Sequence, residues 1–341
     1  MTIQKFIAQI ADGNNLSKDE ATRLFQIIMT GGATPAHIAA ILMGLRLKGE
    51  TVDEITGATI TMRAKMDTII APPGAIDVCG TGGDASKFSG GTLNVSTAVA
   101  LVVAACGVPV AKHGNKSVSS SSGSADVLSG LGVNVKANKD TVQKSLNEAG
   151  ICFMFAPLYH KAMRHVAPIR QELGIRTIFN LLGPIVNPAN PKRQLLGVYD
   201  KKLLQPMAEV LRNLGSEKAW IVCGTDGMDE ITLTGTSYIA ELMNNEIRHF
   251  EISPEEAGLE ICSADALKGK DPAGNAKELG LLLGGKKSAY RDIVLLNAAA
   301  ALIVSDKAKH LKEGVAIAAD VIDSGKARET LANLVRITNI P

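Results

Sequence analysis

From the N-terminus to about Met66, apolar residues return at helical spacing and no alternating run interrupts them. Ser17-Lys-Asp-Glu20 and Thr51-Val-Asp-Glu54 have capping-box form, a hydroxyl followed three positions later by a carboxylate, so each opens a helix. Thr34-Pro35 puts a cap residue before a proline at the first helical position, and Gly31-Gly32 closes the helix before it. Pro72-Pro73-Gly74 is the first strong breaker and sets a boundary, with helices over 1–71. Beyond it the period changes. Short apolar runs at Ile76–Cys79, Val108–Ala111, Val133–Val135 and Ile151–Phe155 read as strands, separated by helices over Asn94–Cys106, Ala125–Leu131 and Thr141–Glu148. Further strands are expected at Leu195–Tyr199 and Ala219–Cys223. Tyr238–Met243 and Ile247–Ile252 form a hairpin across Asn244-Asn245-Glu246, and helices run from about Tyr290 to the end. This alternation predicts an α/β protein: a small helical N-terminal domain, then a larger domain whose mainly parallel central sheet is flanked by helices.

Composition narrows the function classes. Apolar residues make up 46% of the chain and aromatic residues only 4%, so the core is built from Ala, Val, Ile and Leu. A net charge of +2 is too small for a general polyanion-binding surface, and no nucleic-acid partner is expected. Cys79, Cys106, Cys152, Cys223 and Cys262 are odd in number and widely spaced, which fits neither a disulfide framework nor a zinc cluster. No signal-peptide block opens the chain, and the longest apolar run, Ala98–Cys106, is too short to span a bilayer. A soluble cytoplasmic protein with no membrane partner is the expectation.

One local bias stands out against that neutral background. From Ala85 to Ala125 there is no Asp or Glu, while Lys87, Lys112, His113 and Lys116 lie among many Ser, Thr and Gly. Backbone amides, hydroxyls and ammonium groups with carboxylates withheld suit a highly phosphorylated ligand. Gly80-Thr-Gly-Gly83-Asp84-Ala85 formally fits a dinucleotide fingerprint, yet the acidic residue wanted about 20 positions later is missing. Asp84 inside such a loop suits ribose hydroxyls or metal-bound water; a tight strand-to-helix turn would use the same glycines. Asn94-Val95-Ser96-Thr97 opens a helix, either as an anion site or as a plain N-cap. Lys112-His113-Gly114-Asn115-Lys116-Ser117-Val118-Ser119-Ser120, followed by Ser124 at the next helix start, reads as a phosphate loop or as a polar serine loop. Asp229-Glu230 follows a strand end and suits Mg²⁺, or is a solvated acidic turn. Arg164, His165, Arg170 and Arg176 form a cationic patch in which one arginine could clamp a carboxylate. His160 and His165, five apart, are poorly spaced for a shared metal.

Taken in order along nearly the whole chain, these motifs resemble the anthranilate phosphoribosyltransferases. The resemblance also rests on Gly123-Ser-Ala-Asp126, the run Val166 to Pro184, and Asp226-Gly-Met-Asp-Glu230. It implies transfer of a phosphoribosyl group from phosphoribosyl pyrophosphate (PRPP) to the anthranilate amine. PRPP would lie against Gly80, Gly83, Asp84, Thr92, Asn94 to Thr97, Lys112 to Ser120 and Ser124. Anthranilate would meet Asn115 and Arg170, with Gly80, His113 and His160 close by. Ser96, Asp229 and Glu230 would hold the Mg²⁺ cofactor. It also implies that residues 168–190 return to the helical domain, leaving 72–167 and 191–341 as the PRPP-binding domain, and that two chains pair through the helical domain. The segment Ala85–Gly91 is longer than the family pattern, and Lys161 stands where the family commonly has proline. Lys87 and Phe88 in that longer segment suit either a mobile lid or a surface insertion.

Three rival readings need different features. A pyrimidine-nucleoside phosphorylase of the same fold would use inorganic phosphate and would not need Asp229-Glu230. A non-enzymatic nucleic-acid-binding homologue would want an extended basic, aromatic surface, which one Trp and four Tyr supply poorly. A dinucleotide oxidoreductase lacks its acidic residue. No nucleophile is paired with a base, so no covalent catalysis is expected.

Overall fold

The computed structural model describes residues 2–82, 91–116 and 122–340. Four helices come first: α1 (Ile3–Ala11), α2 (Lys18–Met29), α3 (Pro35–Lys48) and α4 (Val52–Lys65). The expected caps are in place. Ser17, Thr34 and Thr51 each accept from the backbone three residues on, and Glu20, His37 and Glu54 reach back to the cap amide. Glu54 is fully buried, where Lys48 meets it at 3.0 Å and the Leu16 amide at 2.9 Å.

The rest is built on a seven-stranded sheet. Its strands are β1 (Ile76–Gly80), β2 (Val110–Gly114), β3 (Ile151–Phe155), β4 (Arg193–Gly197), β5 (Lys218–Gly224), β6 (Ser237–Met243) and β7 (Glu246–Ile252), in the order β3-β2-β1-β4-β5-β6-β7. The first five in that order run parallel, and β6 and β7 form the expected antiparallel hairpin. Helices α5 (Val95–Ala105), α6 (Ser124–Gly130) and α7 (Lys139–Ala149) join the early strands. After β3 come α8 (Ala156–Tyr159), α9 (Ala167–Leu173) and α10 (Ile178–Leu182), and α11 (Leu204–Asn213) links β4 to β5. The chain ends with α12 (Pro272–Leu283), α13 (Ala289–Val304), α14 (Leu311–Asp323) and α15 (Lys326–Thr338).

Alternation along the strands divides the interior in two. Ile76, Val78, Leu195, Trp220 and Val222 face a core made with α5, α13, α14 and α15. Cys79, Leu196, Ala219, Ile221 and Cys223 face the other way, into a core shared with α11 and with α1 to α4. Val166, Ile169, Phe179 and Ile185 belong to this second core: Phe25 meets Phe179 edge-on at 5.9 Å, and Arg63 Nε donates to the Ile185 carbonyl at 3.0 Å. All five cysteines are free thiols. No described helix is long and apolar enough to cross a membrane.

Two expectations need correction, and one alternative falls away. Val133–Val135 is not a strand. Its valines are buried, but Val135 N bonds to Val133 O and Asn134 N to the Thr338 hydroxyl, so the segment is a turn packed under α15. β2 runs on through Lys112, His113 and Gly114, which are strand residues rather than loop. Asn94 is not a plain N-cap: its side chain makes no cap bond, and instead its Nδ2 donates to the Ser122 carbonyl at 3.1 Å while its Oδ1 accepts from Asn275 at 2.8 Å.

Candidate active site

The strand order reverses direction around β1, with β2 on one side and β4 on the other. In parallel sheets the crevice at the carboxyl ends of such strands is where ligands bind. Here it opens into a cavity of about 340 Å³. Gly80, Thr92, Asn94, Val95, Ser96, Thr97, Lys112, His113, Gly114, Asn115, Lys116, Ser124, Arg170, Asp229 and Glu230 all line it. The sequence therefore located residues from six separate segments that folding brings to one place. Gly83, Asp84, Ser117, Val118, Ser119 and Ser120 lie outside the described residues, as do Lys87 and Phe88. His160 sits behind the cavity wall rather than on it, in contact with His113. Of the cationic patch only Arg170 reaches the cavity: Arg164 lies against His165, and Arg176 stacks on Tyr199 at 4.1 Å.

The loop carrying Asp229 and Glu230 comes so close to the sheet because two glycines leave room. Gly80 and Gly197 are register partners at the ends of β1 and β4. A methyl on Gly80 would strike the Asp229 carboxylate, whose Cγ would be 2.9 Å away, and one on Gly197 would strike the Asp229 backbone. From that seat Asp229 Oδ2 accepts from the Gly82 amide at 2.7 Å. Glu230 Oε1 accepts from the Ser96 amide at 3.2 Å, at the N-terminus of α5. Asp226 shapes the same loop, taking the hydroxyls of Thr232 and Thr234 at 2.7 and 2.6 Å.

The basic side of the cavity is anchored below. Lys112 is buried, and its ammonium donates to the Val78 carbonyl at 2.7 Å and the Ser96 hydroxyl at 3.4 Å. Burial raises the pKa of Asp77, while the Lys112 charge and the Asn187 amide pull it back. Asn187 Nδ2 bonds to Asp77 at 2.7 Å and to the Ala111 carbonyl at 2.8 Å, which ties the returning chain to β1 and β2.

Behind one wall of the cavity His160 meets the cavity-lining His113, Nε2 to Nε2 at 3.2 Å. His113 Nδ1 lies 3.2 Å from the Gly183 carbonyl, which can only accept, so that nitrogen carries the proton, and a His160 N–H is likewise drawn to the Val186 carbonyl. Burial, then the neighbouring imidazole, brings the His113 pKa down to about 3; burial brings His160 down to about 4. Both rings are neutral at pH 7. Arg170 is half-buried over the Phe179 ring at 5.4 Å, and burial lowers its pKa while it stays charged. Phe179, Asn180 and Ser122 also line the cavity and were missed from sequence, because no local signature marks them.

Whether Mg²⁺ fits can be judged from the donors. Among the described residues no three His, Cys, Asp or Glu are grouped to hold an ion by themselves. Two carboxylates and the Ser96 hydroxyl at the cavity wall are hard oxygen donors, and the Thr97 hydroxyl is buried without a partner. Such a partial set suits Mg²⁺, which takes one or two carboxylates and completes its shell with water and phosphate.

A helical unit beside an α/β unit, with a cradle of amides, hydroxyls and lysines facing paired carboxylates at the sheet's switch point, is the build of a glycosyl transferase. The chain matches the glycosyl transferase family, a/b domain, over residues 72–328 and the same family's helical bundle domain over residues 4–66. Within that family the chain belongs to the anthranilate phosphoribosyltransferases. It is 58% identical over 332 residues to the one from Rhodopseudomonas palustris strain HaA2, covering 97% of both chains. The crystal structure of the Thermus thermophilus enzyme superposes with a TM-score of 0.91 at 40% identity, covering 98% of this chain and 99% of that one. The Saccharomyces cerevisiae enzyme in complex with PRPP and Mg gives a TM-score of 0.89 at 28% identity, over 98% and 97% of the two chains.

Proposed function

We propose that the protein joins anthranilate to the phosphoribosyl group of PRPP, giving N-(5-phosphoribosyl)anthranilate and pyrophosphate, a step of tryptophan biosynthesis in the cytoplasm. The anthranilate nitrogen bonds to ribose C1, the C1–oxygen bond to pyrophosphate breaks, and the amine proton leaves to solvent. The observation that carries this reading is the contact of Glu230 with the Ser96 amide: it sets a carboxylate pair against an otherwise acid-free anion cradle.

The residues divide the work. The amides and hydroxyls of Asn94 to Thr97, with Lys112 and Lys116, bind the phosphates, while Gly80 lets the ligand approach the end of β1. Ser96, Asp229 and Glu230 hold Mg²⁺, which when bound neutralises charge on the departing pyrophosphate. Asn115 orients the amine end of anthranilate and Arg170 takes its carboxylate. An aryl amine is neutral at pH 7 and needs no strong base. The neutral His113–His160 pair suits that: imidazoles held near pKa 3 to 4 neither take its proton nor add a cation beside the developing positive charge on ribose. Rate enhancement then comes from positioning and electrostatics.

The same reading divides the chain into a helical unit (1–71 with 168–190) and a PRPP-binding unit (72–167 with 191–341). It also pairs two chains through the helical unit. Supporting this, α3 presents an exposed stripe of Ala36, Ala40, Met43 and Leu47, with Leu47 76% exposed. A phosphorylase would cleave thymidine with inorganic phosphate. Mixing enzyme, anthranilate, PRPP and Mg²⁺ should quench anthranilate fluorescence; no loss of fluorescence, with thymidine cleaved instead, rejects the assignment.

A further inference from the structure

Helix α13 reaches the site twice without lining it. Asn297 is fully buried, and its amide takes both polar groups of one residue: Nδ2 donates to the Ile231 carbonyl at 2.8 Å and Oδ1 accepts from the Ile231 N–H at 2.9 Å. Its second Nδ2 hydrogen goes to the Ile293 carbonyl at 2.9 Å. Two turns earlier, the Tyr290 hydroxyl donates to the Asn94 carbonyl at 3.0 Å. Residues seven apart share a helix face, so these two anchors stand about 10 Å apart along one rigid axis. Ile231 follows Glu230, Asn94 precedes Ser96 by two residues, and the Ser96 amide meets Glu230. The contacts therefore close a ring through α13.

We infer that Asn297 is a positioning residue for the carboxylates that hold Mg²⁺, with Tyr290 setting the phosphate helix against the same face of α13; this rests on the metal placement proposed above. Ile231 lies between β5 and β6, outside any ladder, and is fully buried. Its N–H and C=O need partners, and a primary amide offers a donor and an acceptor side by side. Glu230 is one peptide unit away, so any rotation of that backbone to find other partners swings the carboxylate away from Ser96. No local sequence pattern marks Asn297, because its partner is 66 residues distant.

The test compares Asn297→Ala with Leu302→Ala, a fully buried apolar position five residues further along the same helix. Calorimetry reads the Mg²⁺ dependence of PRPP binding without turnover, and amide exchange reads residues 225–236. Asn297→Ala should need about 10-fold more Mg²⁺ or beyond for half-maximal PRPP binding, as losing a partner behind a metal ligand does, and should exchange faster in the loop. Leu302→Ala should keep the wild-type Mg²⁺ midpoint. Equal shifts in the two variants, or no shift in Asn297→Ala, overturn the inference. If the alanine variant does not fold, Asn297→Ser, which keeps one hydrogen-bonding group, should give an intermediate shift, and a wild-type midpoint there overturns it equally. Asp229→Asn in the same titration separates the premises. An unmoved midpoint for that variant rejects the metal placement itself, whereas a moved midpoint beside an unmoved Asn297→Ala rejects the positioning role alone.

Discussion

Adding one methyl group at Gly197 should disable the site although Gly197 does not line the cavity. A Cβ built there would overlap the Asp229 carbonyl group and lie 3.2 Å from its Cα. Carbon and carbonyl oxygen normally touch at about 3.3 Å, so the backbone must retreat by roughly 1 to 2 Å. A side-chain rotation cannot relieve it, because the struck atoms are main chain. At Gly80 the nearest atom is the end of the Asp229 side chain, which can turn aside. Displacing backbone in a packed interior costs about 1–3 kcal/mol, and a shift of about 1 Å at a reacting centre costs roughly 100-fold in rate. Gly197→Ala should therefore remain folded with a lowered melting temperature, while kcat/KM for PRPP falls about 100-fold and the Mg²⁺ requirement rises. The assay is anthranilate fluorescence against a matrix of PRPP and Mg²⁺ concentrations, beside a thermal melt. A variant with the wild-type Mg²⁺ curve would show that the loop does not depend on the glycine seat.

Three further outcomes follow from the geometry. Arg170→Ala should raise the anthranilate KM by about 10- to 100-fold, the loss expected for a charge-assisted hydrogen bond, and shift the PRPP KM far less; equal shifts in steady-state kinetics would make Arg170 structural. The imidazoles of His113 and His160 are held well below their unfolded pKa of about 6.5, so their stabilisation is complete above that pH and is lost as pH falls toward about 4 and then about 3. His160→Gln should then flatten the stability–pH curve below about pH 6.5 by up to ~1.4 kcal/mol per pH unit; urea melts with the wild-type slope would refute it. Leu47→Arg on the exposed stripe of α3 should turn the proposed dimer into monomers in sedimentation without loss of the fold, and a dimer mass unchanged by the substitution would remove α3 from the proposed interface.

How much of this could be read from the sequence depended on distance along the chain. Capping boxes act over three residues, and Ser17, Thr34 and Thr51 all cap as expected. Most of the named cavity-lining residues were legible by chemistry, because withheld carboxylates and adjacent acids are local facts, whereas Phe179, Asn180 and Ser122 were not. Residues acting across the fold left no such trace. Asn187, Asn275, Tyr290 and Asn297 each hold backbone or amide groups far away in sequence. Val133-Asn-Val135 alternated like a strand, yet among the described residues no strand offers it a ladder, and Asn134 bonds to α15 instead. Two signals were present but weak: Asp271-Pro272 is a cap followed by proline and does open α12, and a lone glycine in the β4 run marks a close backbone approach.

The proposed division of labour between an anion cradle and a carboxylate pair that takes Mg²⁺ is tested most directly by product analysis with and without the ion. With the ion, anthranilate and PRPP should disappear together, and pyrophosphate and N-(5-phosphoribosyl)anthranilate should appear in equal amounts. Asp229→Asn should need far more Mg²⁺ to reach the same rate. Turnover that ignores both the ion and that substitution, or phosphate-dependent cleavage of thymidine in its place, would contradict it.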